Sequence, residues 1–342
     1  MDARAAIGLD WGTSSLRAYL FDRSGRVVDR REEARGIQSI VDGRFREAFE
    51  SLCAEWLTDG AGLPVIACGM IGSRQGWHEA PYLPTPAGFA ELAANLASID
   101  GIAGRRFRII PGVSTVSPEG THDVIRGEET QVFGALASLG VDDAIVVLPG
   151  THSKWVRVRD RRIVAFRTYM TGELYAVLAR HSILGRLFPP ADAQNAHGAD
   201  DTAFKDGLER AAADPGGITA LLFSVRAEGL FERYRAPALP AYLSGLLIGA
   251  EVAHASAGLA GGDRFSGSIA AGTAPDSDDI GTDARPGAHD DARPLIAIAG
   301  SEELVRRYSI ALAHGGLDAV PVPGVPAADG LFAIARAAGL AD

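Results

Sequence analysis

The sequence predicts an α/β fold of two similar lobes around a cleft, because one pattern of strands and a turn occurs in each half. Gly12-Thr13-Ser14-Ser15 follows the apolar run 6–9, and Gly150-Thr151-His152-Ser153 follows the apolar run 144–148. A segment of strand character comes directly after each turn. Alternating strand and helix patterns complete both halves, which predicts a duplicated βββαβαβα order with a helical insertion in the second copy.

The first half, residues 1–140, is predicted to be the N-terminal lobe. Its strands are predicted at 5–10, 15–22, 26–33, 64–68 and 107–110, and its helices at 44–58, 87–98 and 128–139. In the first of these helices Phe45, Phe49 and Trp56 recur at helical spacing, which is typical of a helix with one buried face.

The second half, residues 141–342, begins in the same way and is predicted to be the C-terminal lobe. Strands are predicted at 143–148, 154–158, 162–168, 295–299 and 318–322, and helices at 301–314 and 327–339, with a long helical section at 171–257. Residues 260–293 are rich in Gly, Asp, Ala, Ser and Pro and lack the apolar groups that would order them. We expect a flexible surface loop there.

Composition restricts the class of protein. With 342 residues, 47% of them hydrophobic, the chain is long and apolar enough to form two lobes that each have a hydrophobic core. Its net charge of −10 argues against nucleic-acid binding, which requires clustered positive charge. The two cysteines, Cys53 and Cys68, form no CxxC pair and are expected to be reduced. With no signal peptide and no uncharged stretch of membrane-spanning length, we expect a soluble, cytoplasmic protein without a membrane or nucleic-acid partner.

The two turns predict a phosphate site. A strand that ends in a Gly/Thr/Ser turn presents backbone N–H groups and hydroxyls to a small anion, so Gly12, Thr13 and Ser14 in one lobe and Gly150 and Thr151 in the other can hold phosphates from opposite sides. This arrangement indicates a phosphotransferase.

Several charged residues accompany the turns. Asp10 can hold Mg²⁺ directly or through water, although an ordinary hairpin carboxylate is the alternative. The second turn has Leu148 at the matching position, so a metal would lie nearer the N-terminal lobe. His152, Ser153 and Lys154 either contact phosphate or cap the turn, and Arg17 is either an anion clamp or a solvated strand residue.

A pair of carboxylates, Glu128 and Glu129, begins a helix directly after Arg126-Gly127. Acidic residues at a helix N-terminus also serve as plain caps. The functional interpretation is a general base and a metal-associated carboxylate, because a kinase must accept the proton of the attacking alcohol. The adjoining Arg126 suits a charged substrate.

Two further loops are candidates for ligand contacts. The segment from Gly69 through Ser73, Arg74 and Trp77 to Tyr82 suits a sugar or sugar acid, or is a packed loop. Gly300-Ser301 either lets adenosine approach the backbone or begins a helix in the ordinary way. The sequence contains no P-loop, His-Glu-x-x-His or Gly-x-Ser-x-Gly motif.

The chain resembles the 2-dehydro-3-deoxygalactonokinase family of the sugar kinase, actin and heat-shock ATPase superfamily. The matching stretches occur in one order along nearly the whole chain: residues 9–12, 69–73, 80–84, 126–131, 149–152, 154–155, 171–174, 243–251 and 299–301. The segment at 260–293 is longer than the family pattern leads us to expect.

The resemblance implies two ribonuclease-H-like lobes and ATP-dependent phosphorylation of 2-dehydro-3-deoxy-D-galactonate at its 6-hydroxyl, with Mg²⁺ as cofactor. Asp10 and Glu128 would hold the metal and Glu129 would be the base, with the choice between the two glutamates left open. Gly300 and Ser301 would contact adenosine. The oligomeric state is not predicted.

The resemblance also implies contacts to the sugar acid. Arg17, Arg74 or Arg126 would pair with its carboxylate, and Ser73, Trp77 and Tyr82 would line its site. Two alternatives stay open: a kinase of another small sugar acid, and a non-catalytic sugar or nucleotide sensor on the same scaffold.

Overall fold

The protein is described by a computed structural model over residues 4–58, 62–100, 102, 104–189, 201–214, 216–260 and 294–341. The strands of the first half are β1 Arg4–Trp11, β2 Leu16–Asp22, β3 Val27–Glu33, β4 Val65–Cys68, β5 Tyr82–Pro84, β6 Ala87–Gly88, β7 Ala97–Ile99, β8 Phe107–Ile109, β9 Gly112–Val116 and β10 His122–Ile125. Those of the second half are β11 Ala144–Leu148, β12 Ser153–Arg159, β13 Arg162–Tyr169, β14 Ile296–Ile298 and β15 Ala319–Pro321. The helices are α1 Phe45–Thr58, α2 Phe89–Ala94, α3 Glu128–Leu139, α4 Thr171–His181, α5 Asp201–Ala213, α6 Ile218–Leu230, α7 Leu239–Ala260, α8 Glu302–His314 and α9 Pro326–Ala337.

Five strands of each six-stranded sheet repeat one order, and the sixth strand is added at opposite edges, β7 beside β8 and β6 beside β13. The first runs β3-β2-β1-β4-β8-β7, and the second runs β15-β14-β11-β12-β13-β6. In both, three antiparallel strands lead into parallel partners, β4 and β8 in the first sheet and β14 and β15 in the second. The predicted duplication of two ribonuclease-H-like lobes is confirmed.

Helices α3 and α9 pack against each other, and their buried apolar residues belong to one core with inward-facing residues of both sheets. Two glycines permit the close approach of the pair. A Cβ at Gly134 would lie 1.9 Å from the Pro326 carbonyl oxygen, and one at Gly330 would lie 1.9 Å from that of Thr130. Because α3 begins at the acidic pair, this contact fixes the position of the candidate catalytic residues.

The outer faces of the two sheets are covered differently. Helix α1 packs on the first sheet through Phe49, Trp56 and neighbouring apolar residues. The second sheet is covered by α8 and by the helices of the insertion, among them α7. Helix α7 belongs to a segment, Ala236–Gly258, that is long and apolar enough to cross a membrane, but 72% of its 18-residue apolar window is buried inside the protein. It is therefore the central helix of the lobe core.

The structure corrects two of the predicted elements and adds one sheet. The predicted helix at 87–98 is only the six residues of α2, with β6 before it and β7 after it. In the described parts of the predicted helical section at 171–257, the chain forms separate helices, α4 to α7, rather than one continuous helix. Strands β5, β9 and β10 form a small sheet that no pattern predicted. The predicted loop at 260–293 lies outside the described residues after its first residue.

Candidate active site

The first turn has its backbone braced from behind and its hydroxyls exposed. The Gly12 amide donates to the Ser15 carbonyl at 2.9 Å, and the Ile37 amide donates to the Gly12 carbonyl at 3.0 Å. Thr13 and Ser14 are exposed. The turn is thus a preformed loop whose polar groups face solvent, as an anion site requires.

Asp10 lies in β1 between Arg17 on β2 and Cys68 on β4. Its Oδ2 is 3.3 Å from the Arg17 guanidinium, which also contacts Glu32. The Asp10 side chain is only 13% exposed. Burial raises the pKa of Asp10, and Arg17 opposes that rise. A buried carboxylate with one long cation contact retains capacity to bind a further positive charge.

Two glycines bring Asp10 and the acidic pair to one place. Gly69 and Gly127 both have positive φ, 91° and 104°, and a Cβ on Gly127 would be 3.0 Å from the Gly69 Cα. A Cβ on Gly69 would be 3.6 Å from Asp10 Oδ1. The loop after β4 therefore packs against both the end of β1 and the start of α3.

Glu129 is fully buried at the start of α3. Its Oε2 accepts the Gly127 amide at 2.6 Å and its Oε1 accepts the Thr130 hydroxyl at 3.0 Å. Burial and the neighbouring Glu128 raise the pKa of Glu129 to about 7. That value suits a general base at neutral pH.

Glu128 meets the second turn across the cleft. Its Oε1 is 3.7 Å from Nζ of Lys154, and its Oε2 accepts the Arg126 amide at 2.8 Å. The Lys154 side chain is 7% exposed and that of Glu128 is 26% exposed. This ion pair brings the acidic pair of the first lobe opposite the predicted phosphate turn of the second.

The second turn is held by the start of α4. A Cβ at Gly172 would lie 2.2 Å from the Gly150 carbonyl, and the Glu173 amide donates to the Thr151 carbonyl at 2.9 Å. His152 is exposed and contacts Glu173 at 2.5 Å. The Ser153 hydroxyl is instead buried and turned away into the lobe.

A cavity of about 280 Å³ lies beside this turn. Its wall is largely apolar and includes Gly150, Tyr175, Leu247, Leu304 and Arg307. The predicted adenosine segment is next to it, because a Cβ at Gly300 would lie 3.5 Å from the Pro149 carbonyl and Ser301 leads into α8. An apolar cavity adjoining the predicted phosphate turn has the size and chemistry for a purine base.

Tyr82 and Arg126 contact each other in the first lobe. The Arg126 guanidinium lies 4.1 Å from the centre of the Tyr82 ring and donates to the Ala80 carbonyl at 2.8 Å. Its Nη1 is buried and has no hydrogen-bond partner among the described residues. A buried cationic donor left unpaired is costly, so this nitrogen is suited to an anionic ligand.

The other predicted substrate residues make different contacts. Arg74 is 88% exposed and pairs with Glu79 on its own loop. Trp77 packs edge-on to Trp11 and Phe107 in the apolar core under the first sheet. Ser73 donates to the Met70 carbonyl at 2.8 Å. The structure thus groups Tyr82 with Arg126 and leaves Arg74 paired at the surface.

One buried polar residue was missed by the sequence patterns. Glu251 is a charged residue in the otherwise apolar helix α7, and its side chain accepts hydrogen bonds from β12, α4 and α8. An isolated carboxylate within a long apolar helix was the available signal, because such a group is buried only where donors surround it.

Duplicated ribonuclease-H-like lobes, with a Gly-Thr turn in each and an acidic helix start between them, are the architecture expected of a carbohydrate kinase of the actin-like ATPase class. A family model described as 2-keto-3-deoxy-galactonokinase matches residues 10–268. The chain belongs to the 2-keto-3-deoxy-galactonokinase family.

Individual relatives agree with this membership. DgoK1 of Rhizobium meliloti (strain 1021), described as a 2-dehydro-3-deoxygalactonokinase, is 43% identical over 73% of this chain and 80% of its own length. The 2-dehydro-3-deoxygalactonokinase of Escherichia coli (strain K12) is 39% identical over 72% and 79%. A crystal structure from Sinorhizobium meliloti, assigned to the same activity, matches with a TM-score of 0.77, 36% identity and coverage of 97% and 98%.

Proposed function

We propose that this chain transfers the γ-phosphoryl group of ATP to the 6-hydroxyl of 2-dehydro-3-deoxy-D-galactonate, as a soluble enzyme of the cytoplasm that acts in D-galactonate breakdown. The observation that carries the proposal is the contact of Lys154 with Glu128, because it brings the acidic start of α3 opposite the second Gly-Thr turn. The activity named for the relatives from R. meliloti and E. coli supports the choice of substrate.

In this proposal the nucleotide spans both lobes, divided as residues 1–140 and 141–342. The base occupies the cavity beside Gly150, with Gly300 and Ser301 near the adenosine. The phosphates lie between the exposed hydroxyls of the first turn and the amides of the second. Lys154 and His152 lie beside the transferred group, where a cation stabilises the charge on its oxygens.

The residues present fit one Mg²⁺ ion carried by the nucleotide. Within the described residues no three His, Cys, Asp or Glu side chains form a metal cage. Mg²⁺ in kinases instead uses one or two carboxylates with phosphates and water, and Asp10 and Glu128 supply such a pair. When bound, the ion neutralises charge on the phosphate oxygens.

Glu129 is proposed as the general base. The 6-hydroxyl oxygen attacks the γ-phosphorus, the bond from that phosphorus to the β-phosphate oxygen breaks, and the hydroxyl proton passes to the Glu129 carboxylate. ADP leaves with the bonding electrons. Glu129 is fully buried, and each of its oxygens accepts one hydrogen bond and keeps a second lone pair. The groups that cover Glu129 must therefore move for the substrate hydroxyl to reach it. Glu128 is the alternative base.

Arg126 is proposed to bind the substrate carboxylate, with Tyr82 beside it. The unpaired Nη1 of Arg126 distinguishes it from Arg17, which contacts Asp10 and Glu32, and from Arg74, which contacts Glu79. A charge-assisted bond from a buried guanidinium would select acids over neutral sugars.

The test is ADP release by purified protein with Mg-ATP, with and without 2-dehydro-3-deoxy-D-galactonate. The gluconate epimer and neutral hexoses form the comparison panel. We expect stimulation by the galactonate derivative above all others. Stimulation by a different acid would change the substrate, and bound ATP with no stimulation by any acid would favour a sensor.

A further inference from the structure

Glu251 receives four hydrogen bonds in the core of the second lobe. Its Oε1 accepts from the Ser153 hydroxyl at 2.7 Å and from Nε1 of Trp155 at 2.8 Å. Its Oε2 accepts from the Thr171 hydroxyl and from the Tyr308 hydroxyl, the latter at 2.7 Å. The residue is 3% exposed.

The four donors come from the two parts of the candidate nucleotide site. Ser153 and Trp155 lie on β12 directly after the second phosphate turn. Thr171 and Tyr308 line the apolar cavity from α4 and α8. One carboxylate oxygen therefore holds the phosphate turn and the other holds the cavity wall, so a single side chain links both.

Structural stability alone does not account for this arrangement. A buried carboxylate is expensive to desolvate, and burial raises the pKa of Glu251 even with four donors present. Apolar residues at this position and at its four partners would avoid that cost. What the carboxylate adds is a fixed distance between β12 and the two cavity helices, since its two oxygens are rigidly joined and one binds β12 while the other binds α4 and α8.

We propose that Glu251 is a positioning residue that sets the spacing between the base cavity and the second phosphate turn, and thereby the affinity for ATP. It contacts neither substrate nor phosphate and acts through Ser153, Thr171 and Tyr308. This inference rests on the proposed function, because it takes the cavity and the turn as parts of one ATP site.

The first experiment compares Glu251→Leu and Glu251→Gln in titration calorimetry with a non-hydrolysable Mg-ATP analogue. The Leu variant removes every acceptor, and we expect its Kd for the analogue and its KM for ATP to rise at least tenfold. Its KM for the sugar acid should stay within twofold. The Gln variant keeps one acceptor oxygen for Ser153 and Trp155 and offers N–H groups to the two other hydroxyls, so its Kd should stay within threefold.

A control on the same helix separates positioning from packing. Tyr242 is buried on α7 and exchanges a 2.8 Å hydrogen bond with Ser224, away from the phosphate turn. Tyr242→Phe should lose stability without changing the Kd for the analogue. An unchanged Kd in a folded Glu251→Leu protein would overturn the inference, as would an equal weakening by Tyr242→Phe.

A second route applies if Glu251→Leu fails to fold. Ser153→Ala and Tyr308→Phe each remove one donor from opposite ends of the link. Each end keeps its second donor, Trp155 or Thr171, so each single variant loosens one end of the same link. Loosening the second end adds less once the first is loose, and the double variant should therefore weaken analogue binding by less than the product of the single effects. Strictly multiplicative effects would overturn the inference. Absence of binding by the wild-type protein would remove the proposed function as well, whereas the outcomes above leave it intact.

Discussion

Replacing Glu129 with Gln tests the base assignment and the buried charge together. Gln keeps the shape of the side chain, and its amide can accept from the Gly127 amide while it donates to the Thr130 hydroxyl. The fold should therefore be retained. Loss of a positioned general base lowers kcat by about 10²–10⁴-fold. Binding of the Mg-ATP analogue should be unchanged, because Glu129 does not contact the nucleotide in our proposal.

The same substitution should stabilise the protein at alkaline pH. The pKa of Glu129 is about 7 in the folded state against an ordinary value of 4.5, so the folded state disfavours the ionised form. Stability contributed by the neutral form is present below pH 4.5 and is lost as the pH rises through 7. The free energy of unfolding of Glu129→Gln should exceed that of wild type by about 1 kcal/mol at pH 5 and about 3 kcal/mol at pH 8.

Urea unfolding at the two pH values and a pH profile of kcat supply the assays. In wild type, kcat should fall to about a tenth of its plateau at pH 6, because a base with a pKa of about 7 is then mostly protonated. Glu128→Gln should move the acidic limb of the kcat profile to lower pH, because the Glu128 charge helps to raise the pKa of Glu129. Equal stabilities at pH 8 would refute the buried-charge reasoning, and near-normal turnover of Glu129→Gln would refute its role as base.

Three other substitutions test separate parts of the site and fold. Arg126→Lys should raise KM for the sugar acid about 10–100-fold by steady-state kinetics, because Lys cannot reproduce the guanidinium geometry; the exposed Arg74→Lys is its control, and an equal effect there would contradict the assignment. Lys154→Met should lower kcat about 10–100-fold while the exposed Lys205→Met does not, and full activity would exclude phosphate contact. Gly330→Ala should lower the free energy of unfolding by about 1–3 kcal/mol, because its Cβ would lie 1.9 Å from a backbone oxygen, whereas Gly62→Ala, which meets no atom within 4 Å, should change it little.

The framework of the fold was predictable because strand periodicity and turn residues carry it. The strands around both Gly-Thr turns fall within a residue or two of their predicted bounds, and α3 begins at Glu128 as expected. The small sheet was not predictable, because its strands of three to five residues are too short to show a period. Likewise, α2 is a helix of six residues between two strands, shorter than the pattern that predicted it.

The sequence predicted which residues belong to the site better than it predicted the contacts between them. The sequence indicated Glu128, Lys154 and Arg126, but not that Lys154 lies within 3.7 Å of Glu128, because that contact depends on how two distant loops pack. It could not rank three candidate arginines, since partners such as Glu79 and Glu32 are set by the folded strands and loops. Ser153 looked like a phosphate ligand and is instead a donor to Glu251. With the Ser153 hydroxyl bound to Glu251, the backbone amides of the turn remain the proposed phosphate ligands.

The two halves of the chain exchange elements. Strand β6 lies early in the sequence yet forms the outer edge of the second sheet through its pairing with β13. Helix α9 is the last helix yet packs on α3 and β1 of the first lobe. Neither half of the duplicated chain therefore has a complete hydrophobic core of its own. Fragments cut at residue 140 would each expose an apolar surface that the other normally covers, and they should recover a native core only when mixed.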